Sequence, residues 1–280
     1  MDPAAGRRDL DEPYPLSDEQ IRSYREAGFV RLKGVLGVGT LARYGREITR
    51  KVHELNTQHL PMEKRTTYQK AFLQVMNLWT QSEVVKDFVF SRRLARIAAD
   101  LMGTSGVRLY HDQALYKERG GGLTPWHADQ YYWPLASAHS ITCWVPLQAT
   151  PLEMGPVAFA PRSHRVDLGR NLPIGDESER VIESRLLAHE FGQVEAPFDL
   201  GEVSFHSGWT FHRAGPNETD RPREVMTIIY MDEDMRLAPP QNANQQNDWD
   251  TWCPGATVGD VIETPLNPVL WSRRAPEASG

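Results

Sequence analysis

Cysteine, long apolar runs and an excess of basic residues are scarce or missing in this chain. Its 280 residues include two cysteines, Cys143 and Cys253, and neither has a metal-ligand spacing, which argues against a disulfide-stapled secreted fold. No apolar stretch approaches the roughly 20 residues that a membrane helix needs. The formal net charge is −6 and no basic run stands out, so we expect no nucleic-acid partner.

The start of the chain is polar. Residues 1–16 have no apolar signal-peptide core, and we expect them to form a disordered lead-in. A hydrophobic content of 40% suffices for one large core, and no linker divides the chain into two units. We therefore expect residues 17–280 to form a single domain of a cytoplasmic monomer or homodimer.

The pattern of apolar and turn residues changes near residue 107, from helical to strand-like. Before it, Ser17 and Gln20 form a capping box that starts a helix, and Gly28 ends this helix. Apolar residues at three- and four-residue steps predict further helices over 39–57 and 82–102. The predicted strands, which are rich in β-formers and bounded by turn residues, are 29–32, 107–117, 140–147, 156–160, 202–206, 209–213 and 224–231. Helices followed by strands predict an α+β fold with a mainly β core.

Three side chains could bind one metal ion. His127 and Asp129 are two residues apart, and on extended backbone both would point to the same face. The third ligand could be His212 or His206, and His212 is favoured by the residues that follow it, Arg223 among them. Two histidines and one carboxylate are the ligands expected of non-haem Fe(II) oxygenases. Iron is preferred over zinc because structural zinc sites usually have four nitrogen or sulfur ligands.

Arg223 suggests the second substrate of such an enzyme. Its guanidinium can pair with a carboxylate through two hydrogen bonds, although a surface arginine in the turn with Arg221 and Pro222 is the alternative. A metal triad followed by this arginine favours a dioxygenase that consumes a keto acid. His111 alternates with apolar residues and is interpreted as a satisfied core histidine.

Together these motifs resemble the phytanoyl-CoA dioxygenase family of Fe(II)/2-oxoglutarate-dependent oxygenases. The resemblance covers most of the chain, from about Leu16 to Met231. The matching motifs are Leu16–Gln20 with Gly28-Phe29-Val30, His127-x-Asp129, Trp144–Leu147, Gly155–Val157, Ser163–Arg165, His212-x-x-Gly215-x-Asn217 and Arg223-x-x-x-Thr227. One departure is Arg162, where a glycine is common. The resemblance implies a double-stranded β-helix, a cupin-like jelly-roll barrel flanked by N-terminal helices.

The resemblance also implies roles for individual residues. His127, Asp129 and His212 would bind Fe(II), with dioxygen as co-substrate. Arg223 would pair with the distal carboxylate of 2-oxoglutarate, whose keto acid end would chelate the iron. Further positions expected at the cofactor are Gln113, Thr142, Trp144 and, more weakly, Lys117. Plain strand packing is the alternative for Thr142 and Trp144.

Aromatic residues around the metal motif predict the substrate site. Trp126, Tyr131, Tyr132 and Trp133 would form a wall for a bulky, mostly apolar substrate, with packing inside the protein as the alternative. Segments near 60–80, 165–190 and 232–255 are predicted lids. Within the last, the Gln/Asn-rich stretch 241–248 predicts a surface loop.

The expected reaction is hydroxylation of an unactivated C–H bond of a small, secondary-metabolite substrate, with release of succinate and CO₂. Desaturation, epoxidation and oxidative cyclisation use the same site, and an acyl-CoA substrate gains no support from the net charge of −6. Asp129 argues against a halogenase, which needs that coordination position for halide. The same ligands could also belong to a zinc hydrolase, and the same barrel could be a catalytically silent binding protein.

Overall fold

A computed structural model of the chain describes residues 5–274. The helices are α1 (Ala5–Asp11), α2 (Asp18–Ala27), α3 (Val38–Leu55), α4 (Thr67–Ala71), α5 (Glu83–Val89), α6 (Arg92–Met102), α7 (Asp176–Ala188) and α8 (Ala243–Trp252). The strands are β1 (Phe29–Leu32), β2 (Leu73–Met76), β3 (Gly106–Tyr116), β4 (Thr124–His127), β5 (Ser140–Pro146), β6 (Val157–Phe159), β7 (Val203–Ser207), β8 (His212–Ala214), β9 (Val225–Asp232) and β10 (Val269–Ser272). In the range 5–274, no helix is long and apolar enough to cross a membrane.

Two antiparallel sheets form the β core. The larger has seven strands in the order β1-β7-β5-β9-β3-β10, with β2 also paired to β3, and the smaller has the order β4-β8-β6. Strands distant in sequence are neighbours in both sheets, as the predicted jelly roll requires. Both sheets contribute residues to one cavity, but strand pairing does not join them into a closed barrel within residues 5–274.

The larger sheet separates the hydrophobic core from the cavity. On β5, Ile141, Cys143 and Val145 are fully buried in the main core cluster, which also contains the apolar faces of α3 and α6. The alternate residues Thr142 and Trp144 point to the other face and line the cavity. Because side chains alternate along a strand, every second residue of β5 packs in the core and the residues between them face the cavity.

Local signals placed α2 correctly. The Ser17 side chain accepts a hydrogen bond from the Gln20 backbone while the Gln20 side chain accepts one from Ser17 N–H, and Gly28 ends the helix at a φ of 86°. The predicted helix over 82–102 is instead two helices, α5 and α6. A new N-cap at Ser91, whose hydroxyl accepts from Leu94 N–H, starts the second.

The expected disordered lead-in, residues 1–16, is wrong over its described part. Residues 5–11 form α1, and Leu10 is 2% exposed within the main core. The Asp9 carboxylate accepts hydrogen bonds from Gly37 N–H at 2.8 Å and from the Thr40 hydroxyl at 2.7 Å. One buried leucine and one capping carboxylate thus fix the segment. The first four residues of this prediction lie outside the described range.

The predicted surface loop over 241–248 is also wrong, because most of it lies in α8. The Asn242 side chain accepts from Gln245 N–H and caps the helix. The buried Gln245 amide then donates to the carbonyl of Tyr131 at 3.0 Å. A cap and a tertiary hydrogen bond outweigh the poor helix propensity of asparagine.

Candidate metal and cofactor site

Three ligand atoms converge between the two strands β4 and β8. His127 ends β4 and lies opposite His212, the first residue of β8, while Asp129 begins a short 3-10 helix two residues later. Asp129 Oδ1 is 3.6 Å from His127 Nε2 and 3.5 Å from His212 Nε2. One ligand atom from each residue lies within 4.8 Å of the others, a spacing that could hold a metal ion.

Backbone carbonyls set the orientation of both imidazoles. His127 Nδ1 lies 2.7 Å from the carbonyl of Pro125, and His212 Nδ1 lies 3.0 Å from the carbonyl of Thr210. A carbonyl can only accept, so each Nδ1 carries the proton and each Nε2 presents its lone pair. Burial, together with nearby His127, keeps the pKa of His212 well below its usual value. A neutral imidazole is the form that binds a metal.

The second oxygen of Asp129 is held by the larger sheet. The Thr142 hydroxyl donates to Oδ2 at 2.8 Å, and His206 Nε2 donates to the same oxygen at 3.2 Å. Burial would raise the pKa of Asp129, but His212, His127 and His206 outweigh this effect and hold it well below its usual range. The carboxylate is therefore charged, with Oδ1 left facing the two imidazoles.

Arg223 is a buried cation without a counter-charge among residues 5–274. It is 2% exposed, and its Nη1 donates to the carbonyl of Gly155. Its Nε has no hydrogen-bond partner within the described chain, and no described carboxylate lies within ion-pair distance. Burial lowers the pKa of Arg223 to about 9. A buried charge without a partner is costly, so this guanidinium fits a site that receives an anion.

Asn217 explains the fixed spacing between His212 and Arg223. Its side-chain amide donates to the carbonyls of Lys117 at 3.1 Å and Arg221 at 2.7 Å, while its oxygen accepts from Thr219. These bonds close the loop after β8, and Arg223 then pairs with Lys117 through backbone hydrogen bonds of 2.9 and 2.8 Å. The asparagine therefore positions Arg223 without entering the cavity.

One cavity of about 500 Å³ joins the triad to Arg223. Its lining residues are Tyr68, Phe72, Gln74, Met76, His111, Gln113, Leu115, Thr124, His127, Asp129, Tyr132, Trp133, Thr142, Trp144, Val157, Pro173, Ile174, His206, His212, Arg213, Ala214, Arg223, Thr227, Asn244, Asn247 and Asp248. Each of the three predicted lid segments contributes to this wall. A metal, a small keto acid and part of a substrate would share the volume.

A family model described as Phytanoyl-CoA dioxygenase (PhyH) matches residues 24–225. The chain belongs to the phytanoyl-CoA dioxygenase family. It is similar to the methylphosphonate hydroxylase of Gimesia maris, with 27% identity over 146 residues, or 52% of this chain. That match spans about half of the relative, 53% of its length. The chain is also similar to the probable alpha-ketoglutarate-dependent hypophosphite dioxygenase of Stutzerimonas stutzeri. The two are 23% identical over 227 residues, which cover 76% of this chain and 77% of the relative's length.

A solved structure extends the similarity over nearly the whole chain. The epimerase SnoN, in complex with Fe³⁺, alpha ketoglutarate and nogalamycin RO, has 27% identity and a TM-score of 0.75. The match covers 96% of this chain and 100% of SnoN. Family, relatives and the three converging ligand atoms agree: the protein is an iron- and 2-oxoglutarate-dependent oxygenase.

Several residues predicted for this dioxygenase do line the cavity. At the cofactor side these are Gln113, Thr142 and Trp144, with the Arg223 guanidinium 5.6 Å from the centre of the Trp144 ring. At the substrate side they are Tyr132 and Trp133. The strand alternation that places Thr142 beside Asp129 thus exposes these side chains to the cavity, and their contact with the cofactor stays a prediction.

Lys117 lies outside the cavity wall, contrary to its predicted role at the cofactor. Its Nζ lies 2.6 Å from the carbonyl of Gly122, 2.7 Å from the carbonyl of Gly215 and 3.2 Å from the hydroxyl of Thr124. Burial, together with nearby Arg223, lowers the pKa of Lys117 to about 6, and its Nζ hydrogens are used within the protein. The lysine fastens the loop that carries Arg223 instead of binding the keto acid.

Trp126 and Tyr131 also lie outside the cavity wall, although both were predicted to bind substrate. Trp126 precedes His127 on β4, so its ring points to the opposite face and packs in a separate core cluster with Phe211. Tyr131 packs toward α8, where its hydroxyl accepts from the Asn244 amide at 3.2 Å. Both rings stabilise the segment around the triad without touching the cavity.

His111 is a cavity residue that the sequence interpretation missed. It shares a face of β3 with Gln113 and is 3% exposed, but its Nδ1 has no hydrogen-bond partner among residues 5–274. The satisfied core histidine expected there is therefore wrong. Because His111 is two residues from Gln113 on a predicted strand, the sequence could have placed both side chains on the same face, toward the cavity. No such local pattern marks Asp248 or the aromatic residues of the 60–80 segment.

Arg162, the departure from the resemblance noted above, has a backbone conformation that favours glycine. Its φ is 69°, in the left-handed region that a residue without Cβ enters at lowest cost. Its backbone N–H donates to the carbonyl of Ala27 at 2.7 Å, and its guanidinium lies 5.9 Å from the centre of the Phe191 ring. These contacts offset part of the strain, and none of them reaches the site.

Proposed function

We propose that the protein oxidises an unactivated C–H bond of a small secondary metabolite, with hydroxylation as the base reaction and succinate and CO₂ as co-products. The observation that supports this most is the shared cavity. It brings together His127, Asp129 and His212, the unpaired guanidinium of Arg223, and an aromatic wall. In this proposal the triad binds Fe(II) and Arg223 pairs with the distal carboxylate of 2-oxoglutarate.

The iron and 2-oxoglutarate, when bound, would activate dioxygen, which is the oxidant that side chains cannot supply. The protein contributes position and charge. Asp129 presents one oxygen because Thr142 and His206 hold the other. Arg223 neutralises a carboxylate inside a buried site, where a charge-assisted pair is strong. Tyr132 and Trp133 exclude water and orient the C–H bond toward the metal.

The three lid segments are proposed to close over the substrate. Tyr68 and Phe72 come from the first, Pro173 and Ile174 from the second, and Asn247 from the third. The Ile174 N–H donates to the Tyr132 hydroxyl at 2.8 Å, which connects the second segment to the residues after Asp129. Substrate binding would thus be linked to the order of residues 129–133, the metal loop.

Epimerisation is the second candidate reaction. It is favoured by the similarity to SnoN, which is an epimerase and matches this chain over 96% of its length. Removal of a hydrogen atom from one face and delivery of another hydrogen atom to the opposite face would use the same triad and cavity, with an external reductant such as ascorbate supplying the two hydrogen equivalents needed to reduce the second oxygen atom of O₂ to water. The product would then have the mass of the substrate, so mass spectrometry alone would overlook it.

The test is turnover by protein purified without oxygen and then supplied with Fe(II), 2-oxoglutarate and air. We expect succinate to form, and a substrate screen to give products with one added oxygen or, for epimerisation, a changed retention on a chiral column. His127→Ala, Asp129→Ala and His212→Ala should abolish succinate formation, whereas His53→Ala, an exposed site on α3, should not. Loss of activity in His206→Ala with retention in His212→Ala would reject the ligand assignment. Hydrolysis with bound zinc and no succinate would reject the oxygenase.

A further inference from the structure

Apart from histidines, four of the described residues that line the cavity are charged: Asp129, Arg213, Arg223 and Asp248. Arg213 is already paired, with Glu179 at 2.9 Å and Glu183 at 3.4 Å. Under the proposed function, Asp129 faces the metal and Arg223 faces 2-oxoglutarate. Asp248 is then the remaining charged group, and neither the described protein nor the cofactors supply its counter-charge.

Asp248 is held at the cavity by the body of α8. The residue is 9% exposed, and its Oδ2 accepts a hydrogen bond from the Tyr110 hydroxyl at 3.2 Å. Between residues 5 and 274, no lysine, arginine or histidine nitrogen lies within 4.0 Å of this carboxylate. Burial raises its pKa to about 7, although hydrogen bonds from Tyr110 and Trp252 oppose the shift. The Gln245 bond to Tyr131 fixes the helix relative to the metal loop.

Trp133 and Tyr132 line the same cavity as Asp248, and the rings of Tyr110 and Trp252 pack near this part of its wall. Tyr110 lies 5.4 Å from Trp133, and Trp133 itself lines the cavity. The His111 ring is 5.5 Å from Trp252 and 6.3 Å from Trp133. Burial lowers the pKa of His111 to about 3, so its imidazole is neutral and does not supply the missing positive charge. Its unpartnered Nδ1 is a second unfilled polar position beside the same wall.

A carboxylate beside aromatic faces is suited to an alkylammonium group. The cation pairs with the carboxylate and is attracted by the electron-rich faces of the rings. Beside a neutral occupant Asp248 would be protonated or would be a buried carboxylate without a cation, whereas an ammonium would favour its ionised form. We propose that the substrate carries a protonated amine on an apolar or aromatic body, and that Asp248 binds the ammonium while Trp133 flanks it. This inference rests on the proposed function, because the amine belongs to the molecule that is oxidised.

The test compares an amine with its neutral counterpart. Phenethylamine, which is protonated near neutral pH, and phenethyl alcohol are titrated calorimetrically under nitrogen into protein loaded with Fe(II) and 2-oxoglutarate. We expect the amine to bind at least about tenfold more tightly, the ratio that a hydrogen bond to a charged group gives. Asp248→Asn should remove that preference, whereas Asp250→Asn, on the exposed side of α8, should keep it.

Equal affinities in the wild-type protein would overturn the inference, as would an absence of amine binding or a preference that survives Asp248→Asn. The asparagine retains an oxygen that can accept from Tyr110, so the variant should fold. If the variant does not fold, the comparison of amine and alcohol binding to the wild-type protein still tests the inference. Separate titrations with Fe(II) and 2-oxoglutarate test the proposed function. If both bind while the amine preference is missing, the amine inference alone fails.

Discussion

His206 and Asp129 form a partly buried hydrogen bond of 3.2 Å between Nε2 and Oδ2, on the side of the carboxylate turned away from the two metal-facing imidazoles. Thr142 lies opposite His206 across strands β5 and β7, so both side chains reach the same oxygen. The third histidine of this cluster therefore orients the carboxylate. Outer partners of this kind fix a ligand's direction and tune its affinity for metal.

Removing one of these partners should weaken metal binding without unfolding the protein. Thr142→Val keeps the shape of the side chain but loses the hydroxyl that donates to Asp129. We expect Fe(II) affinity to fall about 10- to 100-fold, measured by anaerobic titration. Thr142→Ser restores a hydroxyl and should restore most of the affinity. Equal affinities in the valine and serine variants would show that the bond to Oδ2 does not orient the ligand.

A second prediction separates cofactor binding from stability at Arg223. Arg223→Met removes a buried cation that has no counter-charge in the described protein, so the Tm without ligand should stay constant or rise. The wild type should gain about 2.7 kcal/mol from 2-oxoglutarate at a hundred times its Kd, and the variant should gain almost nothing. Thermal melts with and without 2-oxoglutarate measure both effects.

The matched control for this prediction is Arg221→Met, an exposed arginine two residues earlier. It should respond to 2-oxoglutarate like the wild type. Arg223→Lys should recover part of the ligand effect, because an ammonium keeps the charge but loses the bidentate geometry. An undiminished response in Arg223→Met would remove this residue from the cofactor site.

The sequence could predict that His127, Asp129, His212 and Arg223 lie together because short spacings relate them. His127 and Asp129 share a strand-like face, and the Asn217 loop fixes the distance from His212 to Arg223. The α2 boundaries were predictable for a similar reason, since a helix cap involves neighbours in sequence.

Features that depend on distant partners were not predictable. Asp248 reaches the cavity because α8 docks through Gln245 onto Tyr131, more than a hundred residues earlier. Lys117 was misassigned because its three acceptors, among them the Gly215 carbonyl, are known only once the loops pack. For Trp126 the signal did exist: as the immediate neighbour of a metal-facing histidine on a strand, it must point to the other face.

A third prediction concerns pH. Asp112 is fully buried, and burial raises its pKa to about 7 although the Leu78 and Trp79 N–H groups donate to it. The unfolded value is about 3.9, so the folded protein binds the extra proton between these two pH values. The contribution of this group to stability is therefore complete below about pH 4 and is lost as the pH rises through about 7.

Asp112→Asn should remove that dependence. Between about pH 4 and 7, the unfolding free energy of the wild type should fall relative to the variant by up to about 1.4 kcal/mol per pH unit. Urea unfolding at a series of pH values measures the difference. Asp87→Asn, an exposed site on α5, should follow the wild type. Parallel curves for wild type and Asp112→Asn would contradict the raised pKa.

The last prediction concerns coupling between 2-oxoglutarate consumption and substrate oxidation. Tyr132 lines the cavity, and its hydroxyl accepts from Ile174 N–H at 2.8 Å, which ties the 165–190 segment to the metal loop. Tyr132→Phe should loosen this closure and let water reach the site. We expect the ratio of succinate to oxidised product to rise about two- to tenfold, the effect of losing a net hydrogen bond of about 0.5–1.5 kcal/mol.

Tyr131→Phe is the matched control, because Tyr131 lies outside the cavity wall and its hydroxyl contacts Asn244 instead. Its succinate-to-product ratio should equal that of the wild type. Trp133→Ala removes part of the wall itself and should also shift which substrate carbon is oxidised. If Tyr132→Phe and Trp133→Ala both keep wild-type coupling and regiochemistry, these rings serve packing, and the substrate must be oriented by the Tyr68 and Asn247 sides of the cavity.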